Sequence, residues 1–350
     1  MMAPKFEVLV VGAGPAGTSA SFFLKRFDSQ QEFNVTLIDK LPEEKYSQYQ
    51  RMCGEGISID AFKELSPLAP AGIIHKIKLT EESYPGGIVL ETPSNGYLLN
   101  RYIFLRDIQK KFVSCGGIIK TKAVIDFLIS GNKIRVKFDD STTALFDYVV
   151  AADGPNSLFR KNLGINAKGL CIAIQYIVDK PMKTDTIKFI YDEKYKGEYS
   201  WEFPNEDTAK VGFPILPNKP LFLPASGKIL QKHVRPIGFG GVEKYVVSNI
   251  LLVGDAACQT NALTKGGIRP ALVSGRLAAT ALWKKDPQLY ESNWLKTPYA
   301  NPIFYSTYLH LSGLGNGQLT KMSQHFLDQK LSKDELELLK VFDLCDKFGW

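Results

Sequence analysis

The sequence predicts an α/β protein that combines a Rossmann-like domain, an antiparallel β-sheet domain inserted into it, and a C-terminal helical segment. Three observations carry this prediction. The chain begins with a strand, a glycine turn, a helix and a second strand; a further buried strand with a Gly-Asp turn follows only at residues 249–255; and the residues between them largely alternate between apolar and polar. We place the domain boundaries at residues 1–72, 100–165 and 238–284 for the Rossmann-like domain, 73–99 and 166–237 for the inserted domain, and 285–350 for the helical segment.

Composition narrows the class of protein. The chain has 350 residues, of which 45% are hydrophobic and 23% are charged, so it can form a sizeable core. The net charge of +7 comes without a block of basic residues or any nucleic-acid motif, so we expect no nucleic-acid partner. No signal-peptide pattern and no apolar stretch of about 20 residues occurs, which predicts a cytoplasmic protein and leaves peripheral contact with a membrane surface open.

The N-terminal unit is the most informative element. Its parts are a buried strand at residues 6–11, the turn GAGPAG at 12–17, a helix to about Phe27 and a strand at 34–39. Gly12 permits the tight turn, Gly14 lets a pyrophosphate approach the backbone, and Gly17 allows the helix to pack closely on the strand. Asp39 lies 22 residues after Gly17, where a carboxylate can bind ribose hydroxyls. The alternative is a tight turn in another kind of α/β protein.

The later elements follow from shorter patterns. We predict a β-meander of three strands, the first two joined at Gly131-Asn132, at residues 123–130, 133–139 and 146–151. Strands of the inserted sheet are predicted within 73–96 and at 171–178, 186–191, 199–203 and 209–213. A proline-rich connection from Pro214 to Pro236 would lead back to a helix at 268–282, and a capping box of Ser332 with Glu335 would open a last helix.

Two distant turns complement the glycine turn. Asp153-Gly154 is followed by Ser157 and Arg160, and Gly254-Asp255 follows the late strand. Each could be a strand-ending turn with an aspartate at a helix cap, but that explanation does not account for the order of all three elements. Together they resemble the FAD-dependent oxidoreductases of the p-hydroxybenzoate hydroxylase type, in which the aspartate corresponding to Asp255 binds the ribityl chain.

Four further segments narrow the resemblance. These are RMCGEGIS from Arg51, YSWEFP from Tyr199, LVGDAA from Leu252 and LTKGGIRPALVSGRLAA from Leu263. They resemble the geranylgeranyl reductases, including archaeal digeranylgeranylglycerophospholipid reductases, over residues 5 to about 282. This resemblance implies an enzyme that saturates carbon-carbon double bonds of geranylgeranyl chains in isoprenoid ether lipids by hydride transfer from reduced FAD.

The glycine turn and the resemblance together imply a non-covalent FAD site. Its expected residues are Gly12, Gly14, Pro15, Ala16, Gly17, Asp39, Lys40, Arg51, Cys53, Gly54, Gly56, Arg101, Val124, Asp153, Gly154, Gly254, Asp255, Gly266, Gly267 and Ile268. A helix that begins at Gly266-Gly267-Ile268 would stabilise negative charge on the reduced cofactor through its free N–H groups. The resemblance also implies a lipid cavity lined by Tyr199, Trp201, Phe203 and Pro204; aromatic core packing explains the same periodicity equally well.

Cys53 is the candidate catalytic residue. It lies between Arg51 and Glu55 beside the expected flavin, where its thiol could donate a proton to the alkene or only shape the cavity. Cys115, Cys171 and Cys345 are expected to be inert. His75, His233, His310 and His325 have no metal-ligand spacing, so we expect structural or surface roles for them and no metal site.

The electron donor and two other functions remain open from the sequence. No second dinucleotide motif follows a strand, so NAD(P)H bound transiently, ferredoxin or a quinol could reduce the flavin. A flavin monooxygenase or halogenase on the same fold is one alternative. A flavin-bearing electron carrier is the other.

Overall fold

The structure, a computed structural model, describes residues 5–348. The strands are β1 (Phe6–Val11), β2 (Phe33–Asp39), β3 (Gly56–Ser58), β4 (Ile73–Tyr84), β5 (Ile88–Leu99), β6 (Ile118–Thr121), β7 (Val124–Ser130), β8 (Lys133–Phe138), β9 (Thr143–Phe146), β10 (Tyr148–Ala151), β11 (Ala167–Asp179), β12 (Thr186–Tyr191), β13 (Tyr199–Asn205), β14 (Thr208–Ile215), β15 (Lys228–Val242), β16 (Val246–Val247) and β17 (Ile250–Leu252).

The helices follow the same order along the chain. They are α1 (Pro15–Phe27), α2 (Glu43–Arg51), α3 (Asp60–Glu64), α4 (Arg101–Ser114), α5 (Leu158–Asn162), α6 (Ile268–Trp283), α7 (Gln288–Leu295), α8 (Ile303–Ser312), α9 (Asn316–Asp328) and α10 (Lys333–Phe348).

A parallel sheet positions the predicted turns. Its strand order is β16-β17-β10-β1-β2-β6, and all neighbours are parallel except β16 and β17. Because parallel strands end at one edge, the turns that follow β1, β10 and β17 and the end of β2 all lie at that edge. The predicted β-α-β unit and the Rossmann-like arrangement are confirmed.

Helices α1 and α6 pack against each other through small residues. A Cβ on Gly275 would lie 2.3 Å from the Ala16 carbonyl oxygen, so glycine is required for the close approach. The Ser19 hydroxyl donates to the Leu272 carbonyl at 2.6 Å across the same contact. The predicted helix at 268–282 is thus present and extends to Trp283.

The inserted sheet has the order β15-β11-β14-β13-β12-β4-β5-β3. Neighbouring strands are antiparallel except β12 and β4, which pair in parallel from Thr186 opposite Leu79 to Ile190 opposite Ser83. The inserted sheet is therefore mixed, and not wholly antiparallel as predicted, because β12 pairs in parallel with β4. The predicted strands in this sheet are present, with ends that differ by a few residues.

The third meander strand was predicted wrongly. The three-stranded sheet consists of β7, β8 and β9, whereas β10 joins the parallel sheet between β1 and β17. Asp147 separates β9 from β10, and its carboxylate accepts from the Glu7 N–H at 2.8 Å. The apolar residues on the two sides of Asp147 therefore belong to different sheets: β9 lies in the three-stranded sheet and β10 in the parallel sheet.

The connection predicted around Pro236 is also different. Residues 228–242 form β15, a strand at the edge of the inserted sheet. Proline lacks a backbone N–H and is tolerated in edge strands, which explains how Pro236 fits opposite Ile172. The domain boundary placed at 237/238 falls inside this strand, and the domain division itself stays a prediction.

Helices α7–α10 form the C-terminal segment. The predicted capping box is present at the start of α10: the Ser332 N–H donates to Glu335 Oε2 at 2.8 Å, and the Glu335 N–H donates to Ser332 Oγ at 3.3 Å. Within residues 5–348, none of the helices combines the length and apolar character that crossing a membrane requires.

Candidate active site

A cavity of about 700 Å³ is lined by both large sheets and by the C-terminal helices. The predicted residues in its wall are Gly12, Gly14, Pro15, Ala16, Asp39, Lys40, Cys53, Gly54, Gly56, Arg101, Val124, Asp153, Gly154, Tyr199, Trp201, Phe203, Asp255, Gly266, Gly267 and Ile268. The fold therefore brings the glycine turn, the Cys53 turn, the late Gly-Asp turn and the aromatic strand to one space.

The glycine turn has the geometry that its residues require. Gly12 adopts a φ of +100°, and a Cβ there would lie 2.3 Å from the Ala152 carbonyl oxygen. A Cβ on Gly17 would lie 1.9 Å from the Gly12 carbonyl oxygen, so glycine is needed for the helix to start this close to the strand. No atom lies within 4 Å of a Cβ built on Gly14, which faces the cavity.

Asp39 is fixed at the end of β2. Its carboxylate accepts from the Ala13 N–H at 2.9 Å and the Leu41 N–H at 2.9 Å. Each oxygen keeps a further lone pair. The side chain lines the cavity with capacity to accept hydrogen bonds from a ligand.

The two other turns are joined by Arg160. Its guanidinium donates to the Ala256 carbonyl at 2.9 Å and to the Pro155 carbonyl at 2.7 Å, so the turn after β10 is tied to the turn after β17. Ser157 caps α5 by accepting from the Arg160 N–H at 3.0 Å. Burial raises the pKa of Asp153, and likewise that of Asp255, whose Oδ1 accepts from the Thr260 hydroxyl at 3.1 Å.

Glu55 organises the Cys53-Gly54-Glu55-Gly56 turn. It is fully buried with a left-handed φ of +66°, and its carboxylate accepts from the Arg101 N–H at 2.8 Å and Arg51 Nε at 3.2 Å. Lys210 forms a buried ion pair with the same carboxylate, and burial lowers the pKa of Lys210. The Glu55 N–H points at Cys53 Sγ at 3.4 Å, so this anchored turn fixes the thiol in the cavity wall.

The aromatic strand faces the cavity and also packs within the sheet. Phe189 makes edge contacts with Tyr199 and Phe203, with ring centroids 5.1 Å and 5.5 Å apart. A Cβ on Gly54 would lie 2.8 Å from the Phe203 ring, which places the Cys53 turn directly against this strand. The Tyr199 hydroxyl donates to the Thr264 carbonyl, in the loop that leads to Gly266.

Four predicted residues do not line the cavity. Pro204 follows Phe203 and therefore points to the opposite face of β13. Arg51 is directed to Glu55 and to Asn205 Oδ1 at 3.2 Å. Gly17 and Gly254 are covered by close packing, since a Cβ on Gly254 would lie 2.7 Å from Ala16 Cβ.

Several cavity residues were not selected from the sequence. His233, expected to be structural or on the surface, lies in the wall on β15 beside Arg235, and Gln175 faces it from β11. His233 was not selected for the site because the segment around it was interpreted as a connection and not as β15, and its structural role stays a prediction. Cys171 also lines the cavity, and burial raises its pKa to about 12, which keeps this thiol protonated.

The cavity residues fit FAD. Asp153 Oδ1 is buried in the wall with no hydrogen-bond partner among the described residues, so it can accept from a ligand. The N-termini of α1 and α6 both open onto the cavity, where Gly14 and Gly267 leave the first N–H groups free of side-chain caps. These features suit a dinucleotide with a negatively charged pyrophosphate.

Comparison with solved structures identifies the fold. A geranylgeranyl bacteriochlorophyll reductase-like protein from Thermoplasma acidophilum superposes with a TM-score of 0.81 over 99% of this chain and 96% of its own, at 21% identity. A p-nitrophenol 4-monooxygenase from Pseudomonas putida has a TM-score of 0.76 over 99% of both chains, at 14% identity. The chain therefore has the same fold as these two proteins, which confirms the predicted fold class.

Curated relatives identify the family. No family model matches the chain. A digeranylgeranylglycerophospholipid reductase of Methanocella arvoryzae is 30% identical over 313 residues, covering 80% of this chain and 78% of the relative. A digeranylgeranylglycerophospholipid reductase of Methanopyrus kandleri is 29% identical over 78% of this chain and 79% of the relative. The chain belongs to this reductase family, which confirms the resemblance and the class of enzyme predicted from the sequence.

Proposed function

We propose that the protein binds FAD non-covalently in the cavity and saturates carbon-carbon double bonds in geranylgeranyl chains of isoprenoid ether lipids. The observation that carries the proposal is the continuity of one cavity. Its wall includes the glycine turn, Cys53 and the aromatic side chains Tyr199, Trp201 and Phe203, which we call the aromatic arm. The names of the curated relatives support a lipid of this class.

The chain's own residues would divide the work as follows. Gly14 and the start of α1 would hold the pyrophosphate, Asp39 the ribose, and Asp255 the ribityl chain. The aromatic arm would hold the isoprenoid and exclude water. Reduced FAD, when bound, supplies a hydride to the double bond, and the thiol of Cys53 would hold the proton for the other carbon.

The experiment is the mass of candidate lipids after incubation with dithionite-reduced holoprotein. We expect a gain of two hydrogens for each bond reduced. Lipid of unchanged mass from protein that contains FAD would contradict the proposal. Rapid reoxidation by oxygen would instead identify a monooxygenase where the product is hydroxylated, or a halogenase where it is halogenated in the presence of halide. FAD that only passes electrons onward would identify an electron carrier.

The physiological donor and the cellular location are part of the same proposal. NAD(P)H, ferredoxin and a quinol are tested by their rates of reducing the bound FAD under anaerobic conditions. We expect a cytoplasmic protein that contacts a membrane surface peripherally to reach its lipid. Sedimentation with lipid vesicles tests that contact, and protein that stays entirely in the supernatant would contradict it.

A further inference from the structure

Seven exposed aliphatic side chains lie at one edge of the inserted sheet. Strand β15 is the edge strand, and β11 pairs with it. Cys171 and Ala173 on β11 line the cavity, so the residues that alternate with them face the other side of the sheet. The exposed residues are Leu170 and Ile172 on β11, Ile229, Leu230 and Val234 on β15, and Leu221 and Leu223 in the connection before β15. We call these seven residues the apolar edge patch.

The segment that carries most of this patch is basic. Residues 208–242 contain five lysines and arginines and no aspartate or glutamate. Lys219, Lys228 and Lys232 are exposed, and within residues 5–348 they form no ion pair. Strand β11 adds one acid, Asp179, at its end. The apolar edge patch is therefore surrounded by positive charge.

The connection before β15 is anchored on the sheet. The Phe222 ring packs against Tyr195 and Phe213, with ring centroids 5.1 Å and 5.9 Å apart. Leu221 and Leu223, on either side of Phe222, are 43% and 64% exposed. A clustered set of exposed aliphatic side chains marks a surface that a partner covers. The anchored phenylalanine therefore fixes two leucines in position for such a partner.

The composition of the patch favours a lipid surface over a protein. Protein interfaces are rich in tryptophan, tyrosine and arginine and poor in lysine, whereas the seven residues of the patch are all aliphatic and the exposed charges beside them are lysines. A second copy that paired along β15 would bring lysines of the two chains together, and like charges repel. On a bilayer, leucines enter the boundary below the headgroups and lysines attract anionic lipids.

We propose that the apolar edge patch docks the protein on the surface of an anionic lipid bilayer. The inference rests on the proposed function, which requires a lipid, and adds to it the surface that contacts the membrane. His233 and Arg235 on the same strand line the cavity. Docking through β15 therefore places a wall of the cavity beside the bilayer that holds the substrate.

The first test measures binding of the FAD-loaded protein to vesicles by sedimentation. The wild type should bind phosphatidylcholine vesicles that contain phosphatidylglycerol and bind pure phosphatidylcholine far more weakly. We expect the combined changes Lys219→Gln, Lys228→Gln and Lys232→Gln to weaken binding to the anionic vesicles about a hundredfold, at about fivefold for each lysine.

A matched variant controls for net charge. The combined changes Lys120→Gln, Arg135→Gln and Lys137→Gln remove the same charge at exposed positions on β6 and β8 and should have little effect. An equal loss of binding in this control would show that net charge alone attracts the protein and would overturn the inference. A wild type that binds neither kind of vesicle, or both equally, would overturn it as well.

The second test addresses the aliphatic side chains. We expect Leu223→Ala to weaken vesicle binding about tenfold, because the leucine loses contact with the lipid. Leu128→Ala, at a comparably exposed position on β7, is the matched control. Equal binding by the two variants would contradict insertion of the patch. A dimer in lipid-free solution that Leu223→Ala dissociates would assign the patch to a second copy of the chain.

Activity separates this inference from the proposed function. The lysine variant and Leu223→Ala should reduce detergent-dispersed lipid at the wild-type rate and reduce lipid embedded in anionic vesicles more slowly. Wild-type protein that binds anionic vesicles through the patch but reduces lipid in neither form would refute the proposed function and leave the docking surface standing. Equal rates with vesicle lipid in the wild type and both variants would refute the docking surface alone.

Discussion

Cys53 owes its position to residues on three elements. Glu55 accepts from Arg51 on α2, from the Arg101 N–H at the start of α4, and pairs with Lys210 on β14. Removing one member of such a buried network leaves the others uncompensated. The thiol is therefore held at a fixed point between the glycine turn and the aromatic strand, which the proposed role of proton donor requires.

We expect Cys53→Ser to slow double-bond reduction by about a hundredfold or more, because a hydroxyl releases its proton far less readily than a thiol. FAD content and reduction by dithionite should stay unchanged. Stopped-flow kinetics with the lipid separates the two steps, and Cys115→Ser, at an exposed thiol, is the control. Wild-type rates, or a loss that only follows release of FAD, would limit Cys53 to shaping the cavity.

Local residue patterns predicted the backbone of the site better than its side chains. Gly12 and Gly17 could be assigned because their conformation and packing demand glycine within a short segment. Gln175 and His233 could not, because a polar residue in an alternating strand gives no sign of which face it occupies. Their role depends on pairing between β11 and β15, which are distant in sequence.

At the scale of elements, the strand predictions were wrong where the chain passes from one sheet to another. The prediction placed the third meander strand at 146–151, so it assigned β10 to the meander and left out all of β9 except Phe146. Apolar residues lie on both sides of Asp147, and only tertiary pairing assigns the two strands to different sheets. The prediction missed β15 because of Pro236. Proline argues against a central strand, but it is tolerated in an edge strand such as β15. Alternation within 73–96 predicted that this region belongs to the inserted sheet, but it did not define the two strands β4 and β5 or their pairing.

Side chains of strand β13 line the cavity and also pack in a hydrophobic core cluster. We expect Trp201→Ala to lower lipid turnover far more than FAD retention, since its indole lies in the arm with Tyr199 and Phe203. Loss of a packed tryptophan can also cost about 3 to 5 kcal/mol of stability. Turnover must therefore be measured well below the unfolding temperature of the variant. Unchanged turnover by a stable variant would show that β13 only packs in the core and does not bind the lipid.

The start of α10 is predicted to be sensitive to acid. Hydrogen bonds from the Ser332 backbone and from His325 lower the pKa of Glu335 from its ordinary 4.5 to about 2. The carboxylate thus favours the folded helix above pH 4.5, and this contribution disappears as the pH falls toward 2. The protection of the α10 amides against exchange, relative to the intrinsic rate at each pH, should fall over that range in the wild type. This protection should vary less with pH in Glu335→Gln, and Glu337→Gln, at an exposed position, is the control. Equal pH profiles in the wild type and in Glu335→Gln would refute the role of Glu335.

At the scale of the whole molecule, the cavity lies between the two large sheets, and no single sequence segment encloses it. Its wall combines Gly14 and Asp255 after strands of the parallel sheet with Trp201 and Arg235 from the inserted sheet. A ligand that touches both sheets stabilises their packing against each other. Binding of FAD should therefore be visible as stability of the whole chain.

We expect FAD to stabilise the folded chain by mass action, by about 2.7 kcal/mol at a concentration a hundred times the dissociation constant, and so to raise its unfolding temperature. Asp255→Ala should weaken FAD binding by about 1 to 3 kcal/mol and so reduce this shift. Without FAD the same variant should be at least as stable at neutral pH, because burial raises the pKa of Asp255 and makes its charge unfavourable. Thermal unfolding with and without FAD measures both effects, with Asp328→Ala at an exposed position as the control. An unfolding temperature that FAD leaves unchanged would contradict the cofactor assignment, whereas equal shifts in Asp255→Ala and wild type would remove Asp255 from the site.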